Sequence, residues 1–384
     1  MSQLSIAHVL SSFGIGGQER VALDLARQQR AAGHRVLAIS LAPAPDGPLA
    51  AVFQAADVPT ETLPKRGPSV DPSLPMRLSH VLFSHGCDLV HTHNPHALIY
   101  GAPAAALAHV ASVHTKHGVN PDADRRLWLR RTASRFVDAY VAVTQSLSEI
   151  AVEKQECDPE RLHVIPNGID VQRFAPNPEA RRRVRAQLGI DQDAWILGSV
   201  GRLAAEKNQQ LLIDAVAPML DQRRHLVLVG DGPERSALES RTATTLRSDY
   251  VHFLGARDDV QDLLVAFDAF ALTSHSEGLP LVVLEAMASE LPVVATAVGG
   301  LPDVIDDELT GYLVAAGDSV GLMRRFAWLS TRPLQAQRVA SCARQLVTER
   351  HSLVTMTGAY ESLYRKTLAR SGKHQRLSVG AGRA

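Results

Sequence analysis

Two short stretches carry residues whose types and spacing suit chemistry on an anion. The first is Thr273-Ser274-His275-Ser276-Glu277-Gly278-Leu279-Pro280-Leu281-Val282-Val283-Leu284-Glu285-Ala286, with two carboxylates eight residues apart. Pro280 suits the first turn of a helix, so the amides from Gly278 to Val282 would head that helix with its dipole behind them. Such a terminus seats a phosphate or diphosphate. On a helix, eight residues span about 12 Å, enough for Glu277 and Glu285 to grip hydroxyls on either side of the diphosphate. Glu285 also sits among Val282, Val283, Leu284, Ala286 and Met287, where an unengaged carboxylate is costly. The second stretch is Gly201-Arg202-Leu203-Ala204-Ala205-Glu206-Lys207-Asn208. It puts a planar guanidinium and a mobile ammonium on one loop, able to converge on one anion and to neutralise a leaving diphosphate.

Both stretches follow strands. Ser5 to Leu10 reads as a strand, and a glycine turn at Gly14, Gly16 and Gly17 leads into a helix over Gln18 to Ala32. There Val21, Ala22, Leu25 and Ala26 recur at helical spacing, and Gly33 stops the helix before a strand over Arg35 to Ser40. Asp88 to His91, Val110 to His114 and Ala139 to Val143 predict further buried strands. The pattern restarts after residue 170, with strands predicted over Ile196 to Val200, His225 to Val229, Val251 to Leu254, Ala269 to Leu272 and Pro292 to Thr296. Alternation of this kind predicts an α/β chain with parallel sheets covered on both faces. Three prolines and Asn167-Gly168 between Ile165 and Pro178 read as a linker. The expected domains are therefore 1–168 and 169–370, the last helix free to pack back on the first domain, with 371–384 a flexible tail. Ligands of open parallel sheets bind at the carboxyl ends of the strands, where the two motifs fall.

Composition narrows the function. The 384 residues suit two domains, and 40 basic residues balance 40 acidic ones, so no excess favours nucleic acid. Cys87, Cys157 and Cys342 are too few and too dispersed for a disulfide framework or zinc ribbon, which points to a reducing, cytoplasmic setting. The first ten residues lack the pattern of an export signal. The apolar stretch Ala97 to Val113 is interrupted by Pro103 and His109 and reads as a buried helix rather than a membrane span. Eight of the 16 histidines lie between His80 and His117. His91 and His93 are expected to point to opposite faces of a strand, and carboxylates at ligand spacing are missing, so no functional metal and no cofactor are expected.

Taken together, the motifs resemble those of retaining nucleotide-sugar glycosyltransferases of the GT-B fold, family 4. The resemblance runs nearly the length of the chain. It includes Gly14-Ile15-Gly16-Gly17-Gln18-Glu19, Asp88-Leu89-Val90-His91-Thr92-His93, Val164-Ile165-Pro166-Asn167-Gly168-Ile169-Asp170, Val229-Gly230-Asp231-Gly232-Pro233 and Gly299-Gly300-Leu301-Pro302. It implies two Rossmann-like domains facing a cleft. It also implies that Glu277 approaches the donor sugar and that Gly278, Leu279, Leu281 and Val282 lend amides to the sugar or diphosphate. Glu285 would hold the ribose, Arg202 and Lys207 the diphosphate, and backbone near Gly255 the base. Gly16 and Gly17 would close over the phosphates or the acceptor. A histidine abuts the donor sugar in the family; Thr115-Lys116-His117-Gly118 assigns this to His117, with His114 the competing position.

The implied reaction moves a hexosyl unit from a UDP- or GDP-linked sugar to a hydroxyl of a saccharide or lipid-linked acceptor, in cell-surface or exopolysaccharide synthesis. A nucleotide-sugar epimerase, a dinucleotide oxidoreductase and a non-catalytic sugar binder are the competing classes. No acidic residue follows Arg35 to Ser40 to hold a dinucleotide ribose, which counts against the oxidoreductase. Arg125, Arg126, Arg130, Arg131 and Arg135 surround Leu127, Trp128 and Leu129. That pattern reads either as a basic helix for peripheral contact with an anionic membrane or as a solvated face with Trp128 in the core.

Overall fold

The structure is a computed structural model that describes residues 2–44, 46–67, 70–119, 126–244 and 247–372. Two compact bodies form. One comprises residues up to Asn167 together with the helix Leu353–Ser371, and the other is the continuous segment Gly168–Ser352. Each is organised around an all-parallel sheet, seven strands in the first and six in the second. Helices join successive strands, and hydrophobic clusters pack against each sheet.

In the amino-terminal body the strands are β1 (Ser5–Leu10), β2 (Arg35–Ser40), β3 (Thr60–Thr62), β4 (Leu89–Thr92), β5 (Ala111–Lys116), β6 (Ala139–Ala142) and β7 (Leu162–Val164), in the order 3-2-1-4-5-6-7. Every residue of β1 and β4 is buried, as a central parallel strand covered on both faces requires. The strand order reverses between β1 and β4, the switch point at which such sheets place ligands. Helix α1 (Gly17–Ala31) buries Val21, Ala22, Leu25, Ala26 and Gln29. The spacing that seats the apolar side chains therefore carries one amide into the core with them. The helix Leu353–Ser371 buries Met356, Tyr360, Leu363 and Tyr364 and packs against α1 and β5.

In the second body β8 (Trp195–Val200), β9 (Arg224–Val229), β10 (Val251–Phe253), β11 (Ala269–Leu272), β12 (Val293–Thr296) and β13 (Tyr312–Val314) take the order 10-9-8-11-12-13. Here the reversal lies between β8 and β11, whose following loops carry the two anion motifs. A fully buried guanidinium anchors the opposite end of this sheet. Arg185 donates to the carbonyls of Ala266, Gln192 and Ala194 and pairs with Asp268 at 2.6 Å; Asp268 also accepts from the Ile196 amide.

Several expectations needed correction. The run Ala97 to Val113 is not one helix: α4 (Pro95–Ala108) ends at His109 in left-handed backbone, and β5 follows. Three strands for which the sequence carried no expectation, β3, β7 and β13, lie at sheet edges, are only three residues long each and carry little periodicity to read. Trp128 does not enter the core; it is 65% exposed on α5 (Leu127–Ser134). Arg130 does not belong to a solvated basic face, since it is buried against Glu156 with Lys116 on the other carboxylate oxygen. Arg125 and residues 373–384 lie outside the described residues. Among the described residues no helix is long and apolar enough to cross a membrane.

Candidate active site

Five loops at the carboxyl edge of the second sheet are tied to one another through their backbones. After β8, Gly201 and Leu203 donate to Val229, the last residue of β9, and to Asp231 in the loop beyond it, and Gly230 donates to Gly255 beyond β10. His275, after β11, donates to Glu206, and Gly300, after β12, donates to Gly278. Two glycines are obligatory here. Gly230 (φ 136°) and Gly299 (φ 56°) hold positive φ, and a Cβ on either would lie 1.9 Å from the carbonyl oxygen of Gly201 or Glu277 respectively.

Within this frame Lys207 ends a short 3-10 turn, Ala205–Lys207, closed by Asn208 in left-handed backbone (φ 50°). Thr273 donates its hydroxyl to the Asn208 carbonyl at 2.9 Å, fixing one motif to the other. The Lys207 ammonium then lies 2.6 Å from Glu277 Oε1, and the Ser274 hydroxyl donates to the same oxygen at 2.6 Å. Glu277 is 8% exposed and Lys207 23%. The pair is therefore shielded but open on one side. Ser274 was not among the residues singled out in the sequence, although its place three residues before Glu277 is the signal that would have found it.

Glu277 does not lie on the helix. Helix α11 begins at Leu281 and ends at Ala288, with Pro280 at its N-cap, so the 12 Å helical span between Glu277 and Glu285 does not apply. The chain between Thr273 and Pro280 is loop, which lets the carboxylate turn back towards Lys207. The N-cap Pro280 has no side-chain acceptor to cap α11, and the amides of Leu281 and Val282 stand at its head. Leu281, Val282 and Glu285 share the less buried face of that helix, while Leu279 is buried. Gly278 accepts from Gly300, and Gly255 (φ 69°) accepts from Gly230, so both backbones are fixed at the sheet edge. Arg202 is exposed, and among the described residues its guanidinium has no ion-pair partner.

In the amino-terminal body, Gly16 is the N-cap of α1 and Gly17 its first residue, beneath the exposed Ile15. A Cβ on Gly16 would lie 2.3 Å from Oε2 of Glu19. Glu19 is buried, and desolvation raises its pKa.

The histidines of this body separate by strand register. His8 pairs with His91, and Thr92 pairs with His114. His91 and His93 are not on opposite faces, because residues two apart in extended chain share one; their ring centroids are 4.0 Å apart. Thr115 and His117 continue that face. His114 lies on the other, against Thr92 and Tyr140, deep in the sheet. His117, one residue past β5, stands at the carboxyl edge with Nε2 3.2 Å from His93 Nδ1. Burial lowers the pKa of His114 and of His117 to about 3.

Among the described residues His8, His91 and His93 bring ring nitrogens within 4.8 Å of one another, which raises the question of a metal. All six of their nitrogens already have partners: Gln29 and His93 for His8, Tyr364 and Thr115 for His91, His8 and His117 for His93. That donor set is organised as a hydrogen-bond lattice.

Comparison with known proteins follows the same division. The family model described as Glycosyltransferase Family 4 matches residues 15–173, and that described as Glycosyl transferases group 1 matches residues 180–346. A putative glycosyltransferase, EpsF, of Bacillus subtilis is 30% identical over 76% of this chain and 72% of its own length. The chain belongs to glycosyltransferase family 4.

Other relatives in the family include an Escherichia coli UDP-Gal:alpha-D-GlcNAc-diphosphoundecaprenol alpha-1,3-galactosyltransferase, 30% identical over 60% of this chain and 63% of that protein. A D-inositol 3-phosphate glycosyltransferase of Saccharomonospora viridis is 31% identical over 74% of this chain and 66% of its own length. The chain thus spans about two thirds of the length of these two relatives. Among solved structures, Anabaena HepE in complex with UDP is similar with a TM-score of 0.85 at 25% identity, covering 94% of this chain and 100% of that one. Its complex with UDP-glucose gives 0.84 over 96% and 100%. The α/β class with two Rossmann-like parallel sheets, characteristic of GT-B members of the family, is what the fold contains.

Proposed function

We propose that the protein is a retaining glycosyltransferase that moves a hexosyl unit from a nucleotide-diphosphate sugar, UDP-linked by preference, to an acceptor hydroxyl. The observation that carries this is the Lys207–Glu277–Ser274 cluster at the switch point of the second sheet, beside the amides heading α11. An ammonium already held in one rotamer meets the diphosphate without a further ordering cost. Lys207, Arg202 and the amides of Gly278, Leu279, Leu281 and Val282 stabilise the departing phosphate as the bond to the anomeric carbon breaks. Glu277 accepts hydroxyls of the donor sugar, Glu285 those of the ribose, and the backbone at Gly255 meets the base. His117 is assigned to the donor sugar, and Gly16 and Gly17 to the phosphates or the acceptor.

The UDP and UDP-glucose named with HepE support the donor class, and the diphosphoundecaprenol acceptor named for the Escherichia coli relative supports a lipid-linked saccharide. We place the activity in cell-surface or exopolysaccharide synthesis at the cytoplasmic face of a membrane. Exposed Trp128 with Arg126, Arg131 and Arg135 would provide the peripheral contact. The cationic work is assigned to protein groups, so turnover is expected to be unchanged by a chelator; a strict divalent-ion requirement would refute that part.

Glu277→Ala tests the assignment. It should lower turnover by about 100-fold or more, with UDP binding by calorimetry retained. Turnover near wild type would sink the reading.

A further inference from the structure

The histidine-lined face of the amino-terminal sheet contains more order than packing demands. Gln29, carried into the core by the apolar stripe of α1, places Oε1 2.7 Å from His8 Nε2 and directs its amide nitrogen towards the Tyr364 hydroxyl at 3.4 Å. His8 Nδ1 lies 2.8 Å from His93 Nε2, and His93 Nδ1 lies 3.2 Å from His117 Nε2. The last atom in the series, His117 Nδ1, is buried and has no hydrogen-bond partner among the described residues.

The chain has a direction. An amide oxygen only accepts, so His8 must carry its proton on Nε2. Burial holds His8 down to about pKa 4, so the ring is neutral near pH 7 and its Nδ1 is a lone-pair acceptor. His93 therefore donates from Nε2 and accepts at Nδ1, and His117 donates from Nε2 in turn. Three neutral rings stand in one sense, His8 fixed by the Gln29 amide and each of the other two by the ring before it. The other end of the Gln29 amide starts a second series. Tyr364 receives from it and donates to His91 Nδ1, and His91 donates to Thr115, which lies 3.0 Å from the Tyr360 hydroxyl. One side-chain amide, reading out at both ends, orders the whole lattice.

We propose that Gln29, His8 and His93 are positioning residues whose directional hydrogen-bond chain fixes His117 as its Nε2–H tautomer and leaves Nδ1 as an acceptor for a hydroxyl of the bound ligand. This rests on the reading that His117 touches the donor sugar. Ordinary packing would fill this space with apolar side chains and no orphaned nitrogen. The orphan is instead the terminus of the series, a buried acceptor whose desolvation is offset when a ligand hydroxyl donates to it.

The test uses the full chain labelled with 15N-histidine, in which long-range proton–nitrogen correlation spectra separate the two tautomers. His117 is expected to show a protonated Nε2 and an unprotonated Nδ1. A protonated Nδ1, or a ring sampling both forms equally, overturns the proposal and needs no variant. Gln29→Leu should remove the bias at His117, and a bias that persists in the folded variant also overturns it. With UDP-glucose and UDP as probes, Gln29→Leu should weaken UDP-glucose about 3- to 10-fold and leave UDP unchanged, the effect of one hydrogen bond to the sugar. Equal weakening of both, or of neither, breaks the link between the chain and the sugar. His117→Ala separates the two claims: if it leaves the preference for UDP-glucose over UDP intact, the contact to the sugar falls, while the tautomer result is judged by the spectra.

Discussion

The buried polar groups of the two bodies solve the same problem by opposite means. On the histidine-lined face of the first sheet, His8, His91, His93 and His117 are kept neutral by burial, and their nitrogens other than His117 Nδ1 are satisfied by one another, by Gln29 and by hydroxyls. In the second sheet a full charge is buried: the Arg185 guanidinium is 0% exposed and is compensated by Asp268 and three carbonyls. Neutral imidazoles carry direction, because each ring has one donor and one acceptor. Ion pairs carry position, because they hold loops and strand ends at fixed places and leave charge for a ligand to meet. On the proposed function, the contrast separates a body that would orient a hydroxyl from one that would grip a phosphate.

Acid should divide the two most strongly. Burial depresses His8 to about 4 and His114 and His117 to about 3, whereas an unfolded histidine titrates near 6.5. Below about pH 6.5 the unfolded chain binds protons that the folded chain refuses, so this stability is present above that pH and is lost as pH falls towards the folded values. Each ring then costs about 2 kcal/mol at pH 5. Hydrogen exchange measured down to pH 5 should show the amino-terminal body loosening first; parallel loss in both bodies would erase the contrast. Asp268→Asn comes next. It leaves Arg185 buried without its carboxylate and should destabilise the second body by about 3–5 kcal/mol in denaturant unfolding; a loss under about 1 kcal/mol would mean the carbonyls suffice. Lys207→Met is the smallest in stability, since the pair with Glu277 is open to solvent on one side. It should cost about 1 kcal/mol yet weaken UDP about 10-fold by calorimetry. The reverse pattern would make Lys207 a structural residue like Arg185.

Local patterns made much of this legible. Ser5–Leu10 and Arg35–Ser40 are strands at the positions their apolar runs predicted, and the helix after Gly17 begins within one residue of its expected start. The loops bearing Arg202, Lys207 and Glu277 follow their strands as read. What escaped was set by register and by distance in sequence. Nothing local joins His8 to His91, or Gln29 to His8; those neighbours exist only once β1 lies beside β4 and α1 covers them. Simple alternation puts His91 and His93 on one face, against the opposite faces expected of them. Measuring the two glutamates along a helix puts Glu277 on it, whereas the chain stays in loop up to Pro280 and frees the carboxylate for Lys207. Trp128 was given a core alternative on the strength of residue type, and no local signal reports that a large ring stays in water.

The helix Leu353–Ser371 closes the histidine lattice through Tyr360 and Tyr364, yet the ribosome makes it only after all of Gly168–Ser352 has been synthesised. Domains made first generally fold first during synthesis. Here the earlier portion waits for its final wall while the later one already holds every strand it needs, so a nascent chain halted near residue 352 would expose an unfinished imidazole core to the chaperones that meet it.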